Sequence, residues 1–131
     1  MSIIQPTTTA AQADNDSERT TLSTFTGTKL DWLKGVAFDR RLQPYDFKVA
    51  FVIAQHLNQR TGSAMLSDEI IADESAGGSR NVRRSRLRLH EAGWLTWHHT
   101  RTANVYRPDF SQMNDVLDTI TLSREARRER P

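Results

Sequence analysis

Apolar positions in the middle of the chain recur at helical spacing. Phe47, Ala50, Phe51, Ala54 and Leu57 lie three and four residues apart, and Val49, Val52 and Ile53 widen the stripe over most of the girth. That is the pattern of a central core helix. Gln43-Pro44 supplies its start, since proline is tolerated in a first helical turn, and Asn58-Gln59-Arg60-Thr61-Gly62 supplies turn chemistry at its end. Ahead of it, Leu30, Leu33 and Val36 or Ala37, with Trp32 beside them, predict a helix beginning at Lys29. Thr28 is placed to cap it with Asp31 completing a short capping box, and Gly35 weakens or breaks it.

Ser63-Ala64-Met65-Leu66 reads as a short strand. Ser67 then caps a short helix ending at Ala76, with Asp68 and Glu69 in its first turn, where the helix dipole favours acids. After Gly77-Gly78, Ser79 is read as the N-cap of a second helix that runs to Ala92 and stops at Gly93. A short helix, a tight turn and a second helix make a helix-turn-helix. The aromatic and β-branched residues of Trp94–His99 and Asn104–Arg107 predict two strands joined by Thr100-Arg101-Thr102-Ala103 and ended by Pro108. Phe110, Met113, Leu117 and Ile120 follow at steps of three, four and three, predicting an amphipathic helix over 109–122. Residues 123–131 read as a frayed, mixed-charge tail, and residues 1–27, rich in Thr, Ala, Ser, Asp and Gln, as a flexible arm. The domain between them is 28–108.

Composition narrows the class. A length of 131 residues allows one domain plus tails, and a hydrophobic fraction of 37% predicts that part of it is disordered. The absence of cysteine excludes a disulfide framework and cysteine-based zinc sites, and fits a reducing compartment. No apolar run reaches the length of a membrane span, and the first residues lack the pattern of a secretory signal. The expectation is a soluble cytoplasmic protein.

Charge is segregated. The net +2 conceals a segment, 78–107, with seven arginines against the single acid Glu91, while every other stretch is weakly negative. Such a patch is the electrostatic footprint of a polyanion partner, and arginine suits bidentate contacts to phosphate and guanine. With Val82, Ser85 and Leu89 turned inward, Arg80, Arg83, Arg84 and Arg88 fall on the outer half of the second helix. Ser79, Arg80, Asn81 and Arg84 would approach a groove floor, Arg83 and Arg88 the flanking phosphates, and Arg101 sits at the hairpin tip. The same angles turn Arg86 inward, toward an acid such as Asp73 or Glu74, and Leu87 outward, toward a thymine methyl or a partner surface.

From about Tyr45 to Arg107, half of the chain, the sequence resembles bacterial and phage winged-helix domains of transcription regulators and plasmid or phage replication initiators. Ser67-Asp68-Glu69-Ile70-Ile71-Ala72 resembles the opening of their first motif helix. Val82-Arg83-Arg84 with Leu89-His90-Glu91-Ala92-Gly93-Trp94-Leu95 resembles the recognition helix and its lead into the wing, and Ala103-Asn104-Val105-Tyr106-Arg107 the return strand. The resemblance implies a mainly α fold with a small β-hairpin (α+β), a winged helix-turn-helix. It also implies sequence-specific double-stranded DNA binding without catalysis, with Ser67 joining the contact residues. It gives Trp94 and Tyr106 packing roles rather than base stacking. The chain departs from the pattern at Ala76-Gly77-Gly78-Ser79, which lacks the apolar residue that usually plugs this turn. A looser turn or a shifted second helix is expected. The family usually has an apolar residue where this chain has Arg86.

Other chemistry finds little support. His98 and His99 are adjacent on a strand and point to opposite faces, so they do not readily share a metal with His90. No phosphate loop, nucleophile elbow or carboxylate pair is evident, so neither cofactor nor enzyme activity is expected. Phe110, Met113, Leu117 and Ile120, with Leu30, Trp32 and Leu33, offer a homodimer surface. A two-fold dimer would present two recognition helices about 34 Å apart. A second class of function is a protein-interaction or accessory module of a plasmid or phage replication or partition assembly.

Overall fold

The structure is a computed structural model, and it describes residues 24–129. Most of the arm expected at 1–27, and the last two residues of the tail, lie outside the described residues. Helix α1 covers 24–38, followed by α2 (Pro44–Gln55), β1 (Ala64–Leu66), α3 (Asp68–Ser75), α4 (Ser79–Glu91), β2 (Leu95–His99), β3 (Asn104–Pro108) and α5 (Met113–Glu129). The chain divides into two units, Met1–Leu30 and Asp31–Pro131. In the described part of the first, the Lys29 ammonium stands 4.9 Å from the Phe25 ring centre, and Thr28 Oγ1 donates to the Thr24 carbonyl. Thr28 is therefore inside a helix rather than capping one, which corrects the expected start at Lys29.

The second unit is mainly helical with a small antiparallel sheet. Helices α2, α3 and α4 pack against one another, and the strand order is β1-β3-β2. Ala64, Met65 and Leu66 face Tyr106, Val105 and Asn104, and Trp97 on β2 faces Tyr106 from the other side. One continuous core joins Val49, Ala50 and Ile53 of α2 to Ile71 of α3, Val82 and Leu89 of α4, and Leu66, Trp94, Leu95 and Tyr106 of the sheet and its approach. Trp32 and Val36 of α1 complete it. Trp32 Nε1 donates to the Trp94 carbonyl and Trp94 Nε1 to Asp39, so both indoles are buried with their polar edge satisfied.

Local chemistry explains the element ends. Pro44 opens α2, and the Gln43 amide donates to Asp46 Oδ2 at 2.8 Å. Ser67 caps α3 by accepting from the Ile70 amide. Helix α4 ends on Gly93 at φ +84, with the Trp94 amide reaching back to the Leu89 carbonyl and the Gly93 amide to that of His90.

Several expectations need correction. Gly35 does not break α1: it is buried, and an added Cβ would lie 2.5 Å from the Trp94 ring, so the residue is small for the sake of packing. On α2 the stripe turns toward Val49, Val52 and Ile53, leaving Phe51 46% exposed, while Asp46 is fully buried. Helix α4 takes Gly78 as its N-cap, and Ser79 is its first residue. The α3–α4 turn is closed differently from the pattern it resembles. Ala76 adopts the left-handed conformation at φ 55, and the Tyr45 ring stands where a Cβ on Gly77 would be. The Tyr45 hydroxyl meets Ser75 Oγ at 2.7 Å, so an aromatic from α2 takes the place of the missing plug. Helix α5 begins at Met113 rather than 109 and continues through the expected tail to Glu129.

Candidate nucleic-acid interface

Helix α4 sorts its residues by angle. Val82, Ser85, Arg86 and Leu89 are buried, whereas Arg80, Asn81, Arg83, Arg84 and Leu87 are exposed, Leu87 by 51%. Among the described residues, Arg80, Arg83, Arg84 and Arg101 have no ion-pair partner. Their guanidinium groups keep all donors for another molecule. Arg101 lies in the four-residue loop of the hairpin, which is closed by the Thr100 amide and hydroxyl on the Ala103 carbonyl.

A cleft of about 450 Å³ opens between the starts of α3 and α4 and the hairpin tip. Its lining brings together Ser67, Ser79, Arg83 and Arg101, four of the residues singled out from sequence, with Asp68, His99 and Asn104 beside them. Ser67 Oγ is occupied as an acceptor by its cap bond, which leaves its proton to donate.

Arg88 stands apart from the expected set. Its Nε donates to both oxygens of Asp46 at 3.0 and 2.9 Å, and its second nitrogen adds a bond of 2.8 Å. Burial alone would push the Asp46 carboxyl up, but the Arg88 guanidinium and the Gln43 amide outweigh it and hold it below the usual carboxylate range. Arg88 therefore ties α4 to the first turn of α2, and its charge is spent inside the domain. The expected phosphate contact would have to compete with this internal pair.

Arg86 turns inward as its helical angle requires, but its partner is Asp68 rather than Asp73 or Glu74. Its terminal nitrogen donates to Asp68 at 2.7 Å and to the Tyr106 hydroxyl at 2.8 Å, and its guanidinium carbon stands 5.4 Å from the Trp97 ring centre. Asn104 Nδ2 donates to the same hydroxyl at 3.2 Å. Burial would lower the Arg86 pKa, and the bonds to Asp68 and Tyr106 raise it instead, so the group stays charged. Two of the seven arginines in the basic segment are thus neutralised by acids from α2 and α3. A third, Arg107, is exposed and donates to the Thr61 carbonyl.

The remaining candidates separate from this surface. Met113 packs against the core, and Ile120, Trp32 and Leu33 are buried, so four of the seven residues of the expected dimer face are used by the chain itself, with Leu30 and Phe110 left exposed. His90 stacks edge-on against Trp97, and His98 and His99 are exposed. Among the described residues no group of His, Asp or Glu is arranged to hold a metal ion, and no helix is long and apolar enough to cross a membrane. No known protein family, curated protein or solved structure matches the chain.

Sequence reasoning missed Asp46, Asp68 and Tyr45 as partners of this region. For Asp46 the signal was present, since proline at the first helical position and an acid two residues later mark a carboxylate folding back on a helix start. Its pairing with Arg88 joins residues 42 positions apart, beyond the reach of any local pattern.

Proposed function

We propose that this chain is a winged helix-turn-helix that binds double-stranded DNA in a sequence-dependent manner and regulates transcription by occupying its site. In this reading α4 enters the major groove and the β2–β3 hairpin is the wing. The observation that carries it is the sorting of arginines. Arg86 and Arg88 are paired with Asp68 and Asp46, while Arg80, Arg83, Arg84 and Arg101 remain exposed and without an ion pair among the described residues. A solvated surface that needed only solubility would not require them all to be arginine on one helix and one hairpin tip. Ser79, Arg80, Asn81 and Arg84 are the base-edge candidates, and asparagine and arginine read adenine and guanine bidentately. Arg83, Arg101 and the Ser67 hydroxyl are the phosphate candidates.

Four arginine contacts predict a salt dependence. At roughly 0.9 per neutralised phosphate, the two charged phosphate contacts, Arg83 and Arg101, give a log–log slope of affinity against salt of about −1.8, and about −3.6 is the limit if Arg80 and Arg84 neutralise phosphates as well. Fluorescence anisotropy on short duplexes over a range of salt measures it. Arg84→Ala is expected to weaken binding while leaving the melting temperature unchanged. A flat salt dependence, or equal affinity for the variant, refutes the reading. Selection of bound duplexes from a random library then gives the preferred sequence.

A further inference from the structure

Arg86 is the least expected residue of α4. It is 6% exposed, it carries a full charge, and its two best contacts lead to different elements. Asp68 belongs to α3 and Tyr106 to β3, while Trp97, whose ring lies beneath the Arg86 guanidinium carbon, belongs to β2. Asn104 of β3 joins the same cluster through the Tyr106 hydroxyl. Strand β1 holds β3 only from Ala64 to Leu66. Besides the apolar core, the polar side-chain link among the described residues from the middle of α4 to both strands of the hairpin is this cluster, with the His90 ring on Trp97 and on the Leu95 carbonyl beyond it.

The cluster is poorly built for stability alone. Arg86 Nε and Asn104 Oδ1 are buried without a hydrogen-bond partner. A half-satisfied buried network contributes less than apolar packing of the same volume. Its distinguishing property is geometric. A planar guanidinium bonded at one end and held over an aromatic ring fixes direction, which an apolar side chain does not.

We infer that Arg86 is a positioning residue: it locks the β2–β3 hairpin at a set angle to α4, so that Arg101 and the α4 arginines meet one duplex together. The inference rests on the DNA-binding reading for its consequence, but not for the lock itself. Arg86→Met deletes the charge and every bond. Tyr106→Phe deletes only the hydroxyl that joins α4 to β3, and keeps the aromatic packing should the first variant fold poorly.

Two measurements decide the matter. Hydrogen exchange, which needs no DNA, is expected to show the amides of Thr96–Val105 exchanging about tenfold faster in either variant, the worth of one charge-assisted hydrogen bond, with α2 amides unchanged. A uniform rise in α2 and hairpin together marks a merely structural residue and overturns the lock. On DNA, Arg101→Ala is expected to reduce the salt slope by about 0.9 in the parent and by nothing in the Arg86→Met or Tyr106→Phe background. An equal reduction in both backgrounds overturns the positioning role. If the parent binds no DNA at all, the functional reading fails, and hydrogen exchange still judges the lock.

Discussion

Arg88→Ala separates the two kinds of arginine on α4. Asp46 is fully buried, and Arg88 supplies three of its hydrogen bonds, at 2.8 to 3.0 Å. Removing one member of a buried pair leaves an uncompensated charge, which costs about 3–5 kcal/mol. The Gln43 amide still donates to Asp46, and the Arg88 side chain is 28% exposed in the parent, so the lower end of that range is the better expectation. At about 4–8 °C per kcal/mol for a domain of this size, the melting temperature falls by roughly 12–24 °C. Urea denaturation followed by the fluorescence of the buried Trp32 and Trp94 measures it directly.

The sign with pH follows from the same geometry. In the parent the Asp46 carboxyl is held below its ordinary value, so the pair stabilises the fold above about pH 4, and its contribution is lost as pH falls through the folded value. In Arg88→Ala the burial of Asp46 is opposed by less, and the carboxyl takes up its proton at higher pH. The gap in stability between parent and variant therefore narrows as pH is lowered from 7 toward 4. A double-mutant cycle of Asp46→Leu with Arg88→Leu should return a coupling of ~1–3 kcal/mol. If Arg88→Ala keeps the urea midpoint of the parent while losing affinity for DNA, Arg88 belongs to the binding surface and the assignment here is wrong.

Ala76→Gly is expected to stabilise the domain by about 1 kcal/mol, because Ala76 holds φ 55 at an exposed turn where glycine meets no Cβ penalty; an unchanged or lower midpoint in urea contradicts it. Gly35→Ala is expected to cost ~1–3 kcal/mol through overpacking against the Trp94 ring, measurable as a lower melting temperature, and a variant as stable as the parent shows that the ring yields. Asp39 has its carboxyl lowered to about 2 by the Arg41 guanidinium and the Trp94 indole, against the opposing effect of burial. Its stabilisation is complete above about pH 4 and disappears as pH falls toward 2, at most ~2 kcal/mol and less in practice because Arg41 is exposed to solvent. Asp39→Asn should flatten that part of the stability profile, and an unaltered acid limb rules the pair out as its source.

How far the sequence reached depended on the range of the interaction. Hydrophobic spacing and β-branched or aromatic content located α2, β1, α3, α4 and both hairpin strands, helped by the proline, glycine or capping serine that bounds most of them. The inward turn of Arg86 and the outward turn of Leu87 also followed from spacing, since helical angle is local arithmetic. Gly35 was misread because propensity treats glycine as a weak helix former, whereas here the Trp94 ring, 59 residues on, requires it. Thr28 was misread because a threonine ahead of a helical stripe serves equally as a cap or as an interior residue bonding four positions back. The tail became helix to Glu129 although it has no large apolar residue beyond Leu122, and local pattern gave no reason to extend it.

The candidate surface shows the same division at finer grain. Outward arginines were legible one by one, but their availability was not, since it depends on which acids the fold brings beneath α4. Asp46 and Asp68 each lie at the start of a helix, where a carboxylate is stabilised by the local amides and dipole. Those same positions put them within reach of Arg88 and Arg86. The basic character of 78–107 is therefore not uniform. Arg86 and Arg88 are matched by helix-start acids and fix α4 to α2, to α3 and to the hairpin. Its outward charges are left unmatched among the described residues. A net charge summed along the sequence counts both as one patch, whereas the fold uses the first set to hold the second in place.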